Sequence, residues 1–234
     1  GDQGTINGQV YTVVNLQTLQ NMIQNGDDIS SVVTSKILDM SYLFVNKNPV
    51  NGFWYPDNFT PYVVNGDIVS WDVSNVTDMR YMLFESSTFN QDIGDWDVSN
   101  VINMSEMFES STFNQDIGDW DVSNVTNMSN MFAFNLYFDQ DIGDWDVSSV
   151  VNMSGMFHRA FSFHQYISNW NVSNVTNMSS MFKRTSKFDS PINWDVSSVT
   201  DMSGMFEESV AFSRIISSWD VSNVTNMSNM FKDT

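Results

Sequence analysis

The sequence contains no cysteine, which excludes disulfides, thiolate zinc sites and thiol nucleophiles. Basic residues are also scarce, and 9 of them against 28 acidic residues give a formal net charge of −19. The basic footprint that nucleic-acid phosphates require is therefore missing, and an anionic membrane surface would repel the chain. No run of 18 apolar residues occurs, so we expect no membrane insertion, and any export signal lies outside these residues. Such acidity fits a secreted protein in a salty or calcium-containing medium, where screening and bound cations limit self-repulsion.

Patterns that mark catalytic sites are missing as well. The two histidines, His158 and His164, are not accompanied by a nucleophile motif, and neither G-x-S-x-G nor H-E-x-x-H occurs. Carboxylates recur in pairs, but as parts of a repeat they would imply seven equivalent active sites without a pocket. We therefore predict that the protein is not an enzyme.

What the chain does contain is a tandem repeat. A tryptophan recurs at intervals of 24 or 25 residues, at Trp71, Trp96, Trp120, Trp145, Trp170, Trp194 and Trp219. A period of this length indicates a solenoid, in which each coil completes its core by stacking on its neighbours. Stacked coils place equivalent residues about 4.8 Å apart, so each position of the repeat becomes a column of side chains.

The head of the chain, residues 1–31, does not follow the repeat. Residues 9–14 are mostly β-branched or aromatic and predict a strand, and Leu16, Leu19 and Ile23 then follow at helical spacing until Gly26. A strand and a helix here would form a cap over the first coil. We expect residues 32–234 to form the solenoid, with further repeats or domains C-terminal to this chain because the last repeat stops without its closing residues.

A degenerate first coil occupies residues 37–44, and an insertion at residues 46–61 follows it. The insertion carries Trp54 and Tyr55 among turn-forming residues. Insertions in solenoids map to loops on one face, often the binding face, so these two aromatic residues are candidate ligand contacts. Whether the loop binds a ligand or acts as a cap stays open.

Within each coil the pattern predicts one or two short parallel strands and a short helix. Trp96, Val98 and Val101 show the apolar spacing of strands, whereas Met104, Met107 and Phe108 lie at i, i+3 and i+4. The predicted fold class is α/β, a solenoid of about eight coils preceded by the N-terminal cap. Of the 16 methionines, 14 form Met-x-x-Met pairs, for which a buried core face is favoured over a Cu(I) site.

Acidic columns raise the question of calcium. A bare ladder of carboxylates would repel, so each aspartate either accepts backbone N–H bonds in its own turn, which we favour, or shares a cation. Asn171, which replaces the aspartate in one coil, suits the first role but carries no charge for the second. Any calcium should lie in the N-terminal half, at Asp92, Asp95, Asp97, Asp116, Asp119, Asp121, Asp141, Asp144 and Asp146. Apart from this calcium, no cofactor is expected. Columns of Ser and Asn either present a flat hydroxylated surface or satisfy backbone groups of the turns.

Variation between coils is concentrated in the residues that follow the repeat's phenylalanine. A position without a structural role is free to change from coil to coil, so these residues are candidates for ligand contacts. One interpretation is a sugar or acidic-glycan patch of aromatic and cationic side chains, and the other is a solvated face with ion pairs between coils, such as Lys183 with Glu207. The candidate patch comprises Phe134, Tyr137, His158, Arg159, Phe161, Lys183 and Arg184.

The words F-N-Q-D-I-G-D-W and W-D-V-S-N-V-T-N-M-S-x-M-F, as in residues 116–132, closely resemble the repeats of BspA-like surface proteins. This family is an atypical branch of the leucine-rich repeats, found in bacterial lipoproteins and secreted proteins. The resemblance covers about residues 32–231 and implies a solenoid like that of leucine-rich repeats (LRR-like). It also implies an extracellular or cell-surface location and a role in adhesion or in binding a cell-surface glycan or protein. It carries over no catalytic residues. A structural spacer within a large surface protein, rigidified by calcium or not, is the alternative.

Overall fold

The computed structural model describes residues 2–6, 9–45 and 62–234. The chain begins with two short antiparallel strands, β1 (Gln3–Ile6) and β2 (Gln9–Val13), in which Gln3 lies opposite Thr12. A third strand, β3 (Val32–Val33), pairs with β2 in parallel and completes a sheet of order β1-β2-β3. The strand predicted at residues 9–14 is therefore present as β2, and β1 adds an outer strand that the sequence did not indicate.

Between β2 and β3 lies helix α1 (Leu16–Asn25), which is also where the sequence predicts a helix. Asn15 caps its start by accepting a hydrogen bond from the backbone N–H of Thr18 at 2.9 Å. Gly26 ends it in the left-handed conformation, with φ of 74°. Leu19 and Ile23 are buried and belong to the same apolar cluster as the repeats that follow. Because β3 is the start of the first repeat, the head and the repeats share one sheet and one hydrophobic core.

The repeats stack as coils joined by backbone hydrogen bonds. We number the coils by their first methionine: Met40, Met79, Met104, Met128, Met153, Met178, Met202 and Met227 in coils 1 to 8. The residue before each methionine forms a parallel bridge with its equivalent in the next coil, from Asp39 with Asp78 to Asp201 with Asn226. Such stacking is what the solenoid prediction requires, while the assignment to the leucine-rich-repeat class stays a prediction.

The short helix predicted in each coil is wrong for the described residues, because the Met-x-x-Met-Phe segments form turns instead. In coil 3 the N–H of Met107 donates to the carbonyl of Met104 at 3.3 Å, which closes a four-residue turn rather than a helical i to i−4 bond. Glu106, the third residue of that turn, has φ of 59°, as a type II turn requires.

Alternate N–H groups of the same segment point to the next coil. Those of Met104, Glu106 and Phe108 donate to carbonyls of coil 4 at 3.0, 2.9 and 3.0 Å. In a helix, these N–H groups would donate to carbonyls of their own coil. Because the segment forms turns instead, the same N–H groups can bond to the neighbouring coil.

The interior is filled by the repeated apolar columns. The seven repeat tryptophans are 3–8% exposed. Trp71 donates its indole N–H to the carbonyl of Ile29 in the head of the chain, and each later one donates to an isoleucine carbonyl of the preceding coil, as Trp145 does to Ile117 at 3.0 Å. The paired methionines of coils 2 to 7 are fully buried, which confirms their predicted role as core residues over copper ligands.

The insertion at residues 46–61 lies outside the described residues. In the part of the chain that is described, no helix is long and apolar enough to cross a membrane.

Candidate functional site

The aspartate that follows each tryptophan belongs to a turn. Asp97 accepts the backbone N–H of Ser99 at 3.1 Å and its hydroxyl at 2.6 Å, and these bonds hold the pKa of that carboxyl below its usual value. Asn171 accepts the N–H of Ser173 at 3.2 Å in the same geometry. The favoured turn role is therefore confirmed, and it explains why an uncharged amide serves as well as a carboxylate at this position.

The other acidic columns are also occupied by local bonds or are exposed. Asp92, Asp116 and Asp141 accept the N–H of the glycine two residues later, as Asp116 does from Gly118 at 3.0 Å. Asp95, Asp119 and Asp144 lie exposed on the surface. Across residues 2–6, 9–45 and 62–234, no three acidic or histidine side chains lie close enough together to hold a metal ion. The nine aspartates proposed for calcium, including Asp121 and Asp146, are thus not gathered into a site by this fold.

Ser and Asn side chains satisfy backbone groups between coils. The amide of Asn124 donates to the carbonyl of Ser99 in the preceding coil at 2.8 Å, and Asn100, Asn174 and Asn223 make the same bond. Of the two interpretations of these columns, the structure supports backbone satisfaction.

The variable residues line up from coil to coil and form one strip, as predicted from their register, in which the third residue of each segment is buried. We call this strip the variable face. It consists of the five residues that follow the core phenylalanine of each coil from 3 to 7, and its segments begin at Glu109, Ala133, His158, Lys183 and Glu207. The core phenylalanines are Phe108, Phe132, Phe157, Phe182 and Phe206. In coil 3 the strip is one residue shorter. The N–H of Phe134 donates to the carbonyl of His158, and that of Arg159 to the carbonyl of Lys183, at 2.7 and 2.8 Å. Residues that are 24 or 25 positions apart in sequence are therefore direct neighbours on this face.

Phe134, His158 and Arg159 form its central contact. The guanidinium carbon of Arg159 lies 5.1 Å from the centre of the Phe134 ring, a cation–π arrangement, and the His158 ring lies 4.8 Å from the same ring. Burial, assisted by Lys183 and Arg184, lowers the pKa of His158 to about 4. His158 is thus a neutral, mainly packing residue at physiological pH.

The remaining basic residues of the patch are paired between coils. Lys183 lies 2.7 Å from a carboxylate oxygen of Glu207, as the ion-pair interpretation predicts, and Arg184 lies 2.6 Å from Glu208. Arg159 forms no such ion pair with any described carboxylate. Among the three predicted cations, Arg159 is therefore the one whose charge is not neutralised by a carboxylate of the described chain.

Exposed apolar side chains occur in the same segment of the variable face as this arginine and in the segment before it. Tyr137 is 57% exposed and Phe161 is 42% exposed, and Leu136 occupies the same repeat position as Phe161 in the coil before it. The structure thus brings Phe134, Tyr137, Arg159 and Phe161 to one strip. Trp54 and Tyr55, the remaining predicted contacts, lie outside the described residues.

A cluster of glutamates was missed by the sequence analysis. Glu106 and Glu109 lie in coil 3, and the N–H of Glu85 in coil 2 donates to the carbonyl of Glu109 at 2.8 Å. The signal that could have found the cluster is the absence of any basic residue at the matching positions of coil 4, which carry Asn130 and Ala133.

No curated protein and no solved structure matches the chain. A family model described as "Mycoplasma protein of unknown function, DUF285" does match it, in four overlapping segments at residues 12–133, 51–161, 109–193 and 133–234. The overlaps reflect the repeat, and the match is compatible with the resemblance to BspA-like repeats. Since the matched segments together cover residues 12–234, the chain belongs to the DUF285 family of repeat proteins, for which no function is known.

Proposed function

We propose that this protein is a binding module of the cell surface or of a secreted protein, that it is not an enzyme, and that its ligand contacts the variable face around Arg159. The observation that carries the proposal is the contrast between columns. Repeated residues fill the core and form the turns, whereas Tyr137 and Phe161 are exposed on the strip that also carries Arg159, a cation paired with none of the described carboxylates.

The chemistry of this strip favours a glycan as the ligand. Exposed aromatic rings offer flat faces to the apolar side of a sugar, and a guanidinium offers several hydrogen-bond donors to hydroxyl or carboxylate oxygens. The Phe134 ring holds the Arg159 guanidinium from one side, which reduces the entropy lost when a ligand binds. A protein ligand is the other outcome that the same experiment would reveal.

The test compares the parent with the double variant Arg159→Ala, Phe161→Ala on an array of glycans and on extracted cell-surface proteins. We expect the double variant to lose at least about tenfold in affinity, as for the central residues of an interface. A matched control is Arg214→Ala with Ile215→Ala, which removes an arginine and an apolar residue that is 81% exposed from outside the variable face. Equal binding by the parent and the double variant would refute the assignment of the face.

A spacer is the second candidate, and the inter-coil ion pairs of Lys183 and Arg184 favour it, because residues engaged in such pairs are less available to a ligand. A spacer would bind nothing on the array with any variant. Its distinguishing property would be mechanical, since it should transmit force without loss of stacking.

A further inference from the structure

The repeat contains the three-residue pattern Asn-x-Ser/Thr, in which the asparagine is an acceptor for an N-linked sugar. In coils 2, 4, 6 and 8 the pattern is N-V-T, and it begins at Asn75, Asn124, Asn174 and Asn223. A second pattern, N-M-S, begins three residues later in the repeat, at Asn103, Asn127, Asn152, Asn177 and Asn226. Which of these asparagines a transferase can reach depends on their place in the fold.

The N-V-T asparagines lie on the surface. All four are exposed, and in coil 4 the valine between Asn124 and Thr126 is fully buried, so the two polar side chains point outward on either side of it. The amide of Asn124 donates to the carbonyl of Ser99 in coil 3 at 2.8 Å, and the other three amides make the same bond at 2.7–3.0 Å. An asparagine amide has two N–H groups, and this bond uses one. A sugar can therefore replace the second hydrogen without breaking the bond between coils.

The N-M-S asparagines are less accessible. All five are partly buried. Asn127, for example, is bridged through its backbone to Asn103 in the coil before and to Asn152 in the coil after, and its side-chain oxygen accepts the N–H of Ser129 at 3.0 Å. A transferase must surround the acceptor amide, so these side chains are closed to it in the folded protein.

The spacing of the N-V-T pattern leaves room for a sugar. Each coil between two N-V-T coils lacks the pattern: coil 3 has Ile102 in place of the threonine, and coils 5 and 7 have Ser149 and Ser198 in place of the asparagine. Asn100 of coil 3 still donates to the carbonyl of Ser74 at 2.8 Å, so the bond between coils does not require the threonine. Acceptors two coils apart are separated by about 10 Å, twice the spacing of adjacent strands, which accommodates a pyranose ring on each.

Coil 6 carries one more exposed pattern, which begins at Asn171. Its side-chain oxygen accepts the N–H and the hydroxyl of Ser173 at 3.2 and 2.8 Å. Asn171 lies three residues before Asn174 on the same turn, so a sugar on either residue blocks the other, and coil 6 provides one site. A further pattern, at Asn58, lies outside the described residues.

We propose that the folded chain carries N-linked sugars on Asn75, Asn124, Asn174 and Asn223, one in every second coil. In the reaction, the side-chain nitrogen forms a bond to the anomeric carbon of a sugar activated by a nucleotide or lipid phosphate. The bond from that carbon to the phosphate oxygen breaks, the phosphate leaves with the electron pair, and the amide gives up one proton. The proposal rests on the proposed secreted or cell-surface location and does not depend on the ligand of the variable face.

The accessibility of the sites is tested on the purified, unmodified chain with a soluble asparagine glycosyltransferase and a nucleotide-activated hexose. Intact mass counts the hexoses, and fragmentation locates them. We expect up to four hexoses, all on the N-V-T asparagines, whereas a synthetic peptide that contains N-M-S should accept a hexose because the fold no longer covers it. Hexoses on the N-M-S asparagines of the folded chain would overturn the assignment, as would a folded chain that accepts none.

Two variants provide matched controls, because both keep every asparagine. Thr126→Ile gives coil 4 the residue that coil 3 carries at this position, and it should lower the maximum count by one hexose. Ser129→Ala removes the N-M-S pattern at Asn127 and should leave the count unchanged. A count that Thr126→Ile does not lower would contradict the proposal.

The modification itself is tested on the full chain purified from the cells that make it, by mapping its peptides with mass spectrometry. Sugar on the N-V-T asparagines is the expected result. A native chain without sugar at all four positions would overturn the proposal even if the purified chain accepts hexoses. Because the glycan-array experiment uses unmodified protein, its outcome is independent of this one, so a failure of either proposal can be told from a failure of the other.

Discussion

The core phenylalanine of coil 5, Phe157, offers a direct test of how the coils hold together. Its side chain is fully buried, and its ring stacks on Phe163 at 3.9 Å within the coil and on Phe132 and Phe182 of the adjacent coils, each at 5.8 Å. Phe157→Ala would remove all three contacts and leave a cavity between two coil interfaces.

The expected cost follows from this environment. Truncating a fully buried phenylalanine destabilises a protein by about 3–5 kcal/mol, because the transfer energy of the ring and a cavity penalty add. Phe231 occupies the same repeat position in coil 8, but it is 49% exposed and stacks on Phe206 from one side only, at 5.7 Å. The Phe231 side chain is about half as buried as that of Phe157 and packs at one coil interface instead of two. We therefore expect Phe231→Ala to lower the free energy of unfolding by roughly 1–2 kcal/mol.

Urea unfolding followed by tryptophan fluorescence measures both variants. Because each coil contacts only its neighbours, a defect in a central coil can separate the array into two halves that unfold independently. We therefore expect Phe157→Ala to broaden the transition as well as to lower its midpoint, whereas Phe231→Ala should shift the midpoint with its width unchanged.

Equal costs for the two variants would refute the reasoning. That result would mean that stability does not arise from stacking of this column between coils. A cost for Phe157→Ala below about 1 kcal/mol would do the same, because it is outside the range for a buried aromatic side chain.

Two further predictions concern the turns and the variable face. Gly155 has φ of 63°, and a Cβ there would clash with the Asn130 side chain, so Gly155→Ala should lose roughly 2 kcal/mol of unfolding free energy in the urea assay. Ser180 holds the same position with φ of 56°, so Ser180→Gly should change stability little or raise it by up to about 1 kcal/mol; a large loss would contradict the left-handed assignment. For His158, whose pKa of about 4 lies below the unfolded value of 6.5, stability should be lost as pH falls from 6.5 to 4. His158→Gln should remove that loss, and an unchanged pH profile would show that the group is not buried.

The error about the helix in each coil has a physical cause. Met104, Met107 and Phe108 lie at i, i+3 and i+4, which is the spacing of a helical face, but a four-residue turn also places i and i+3 together. A helix and a row of turns differ in which carbonyls accept the backbone N–H groups, and in this fold the next coil provides those carbonyls. Because that coil supplies carbonyls for Met104, Glu106 and Phe108, bonding between coils prevails over the local preference.

The register of the repeat predicted the contacts of the variable face better than it predicted their energetics. Aligning the coils was enough to place Lys183 beside Glu207 and Arg159 near Phe134, because neighbours in a column are fixed by the period. The raised pKa of Glu109 could not be predicted in this way, since its main cause is burial, which the alignment does not show.

The most direct test of the central claim exchanges one segment of the variable face for another. Residues 158–162 are replaced by the five residues found at 207–211, which occupy the same repeat positions, and binding to the ligand found on the array is measured beside the parent. The control is Asn124→Ser, which gives residues 121–125 the sequence of residues 146–150, changes the repeated part of a coil and leaves the variable face intact. The account predicts that the first exchange abolishes binding while the free energy of unfolding stays within about 1 kcal/mol of the parent's, and that the control binds normally. Binding that survives the first exchange, or is lost in the control, would contradict it.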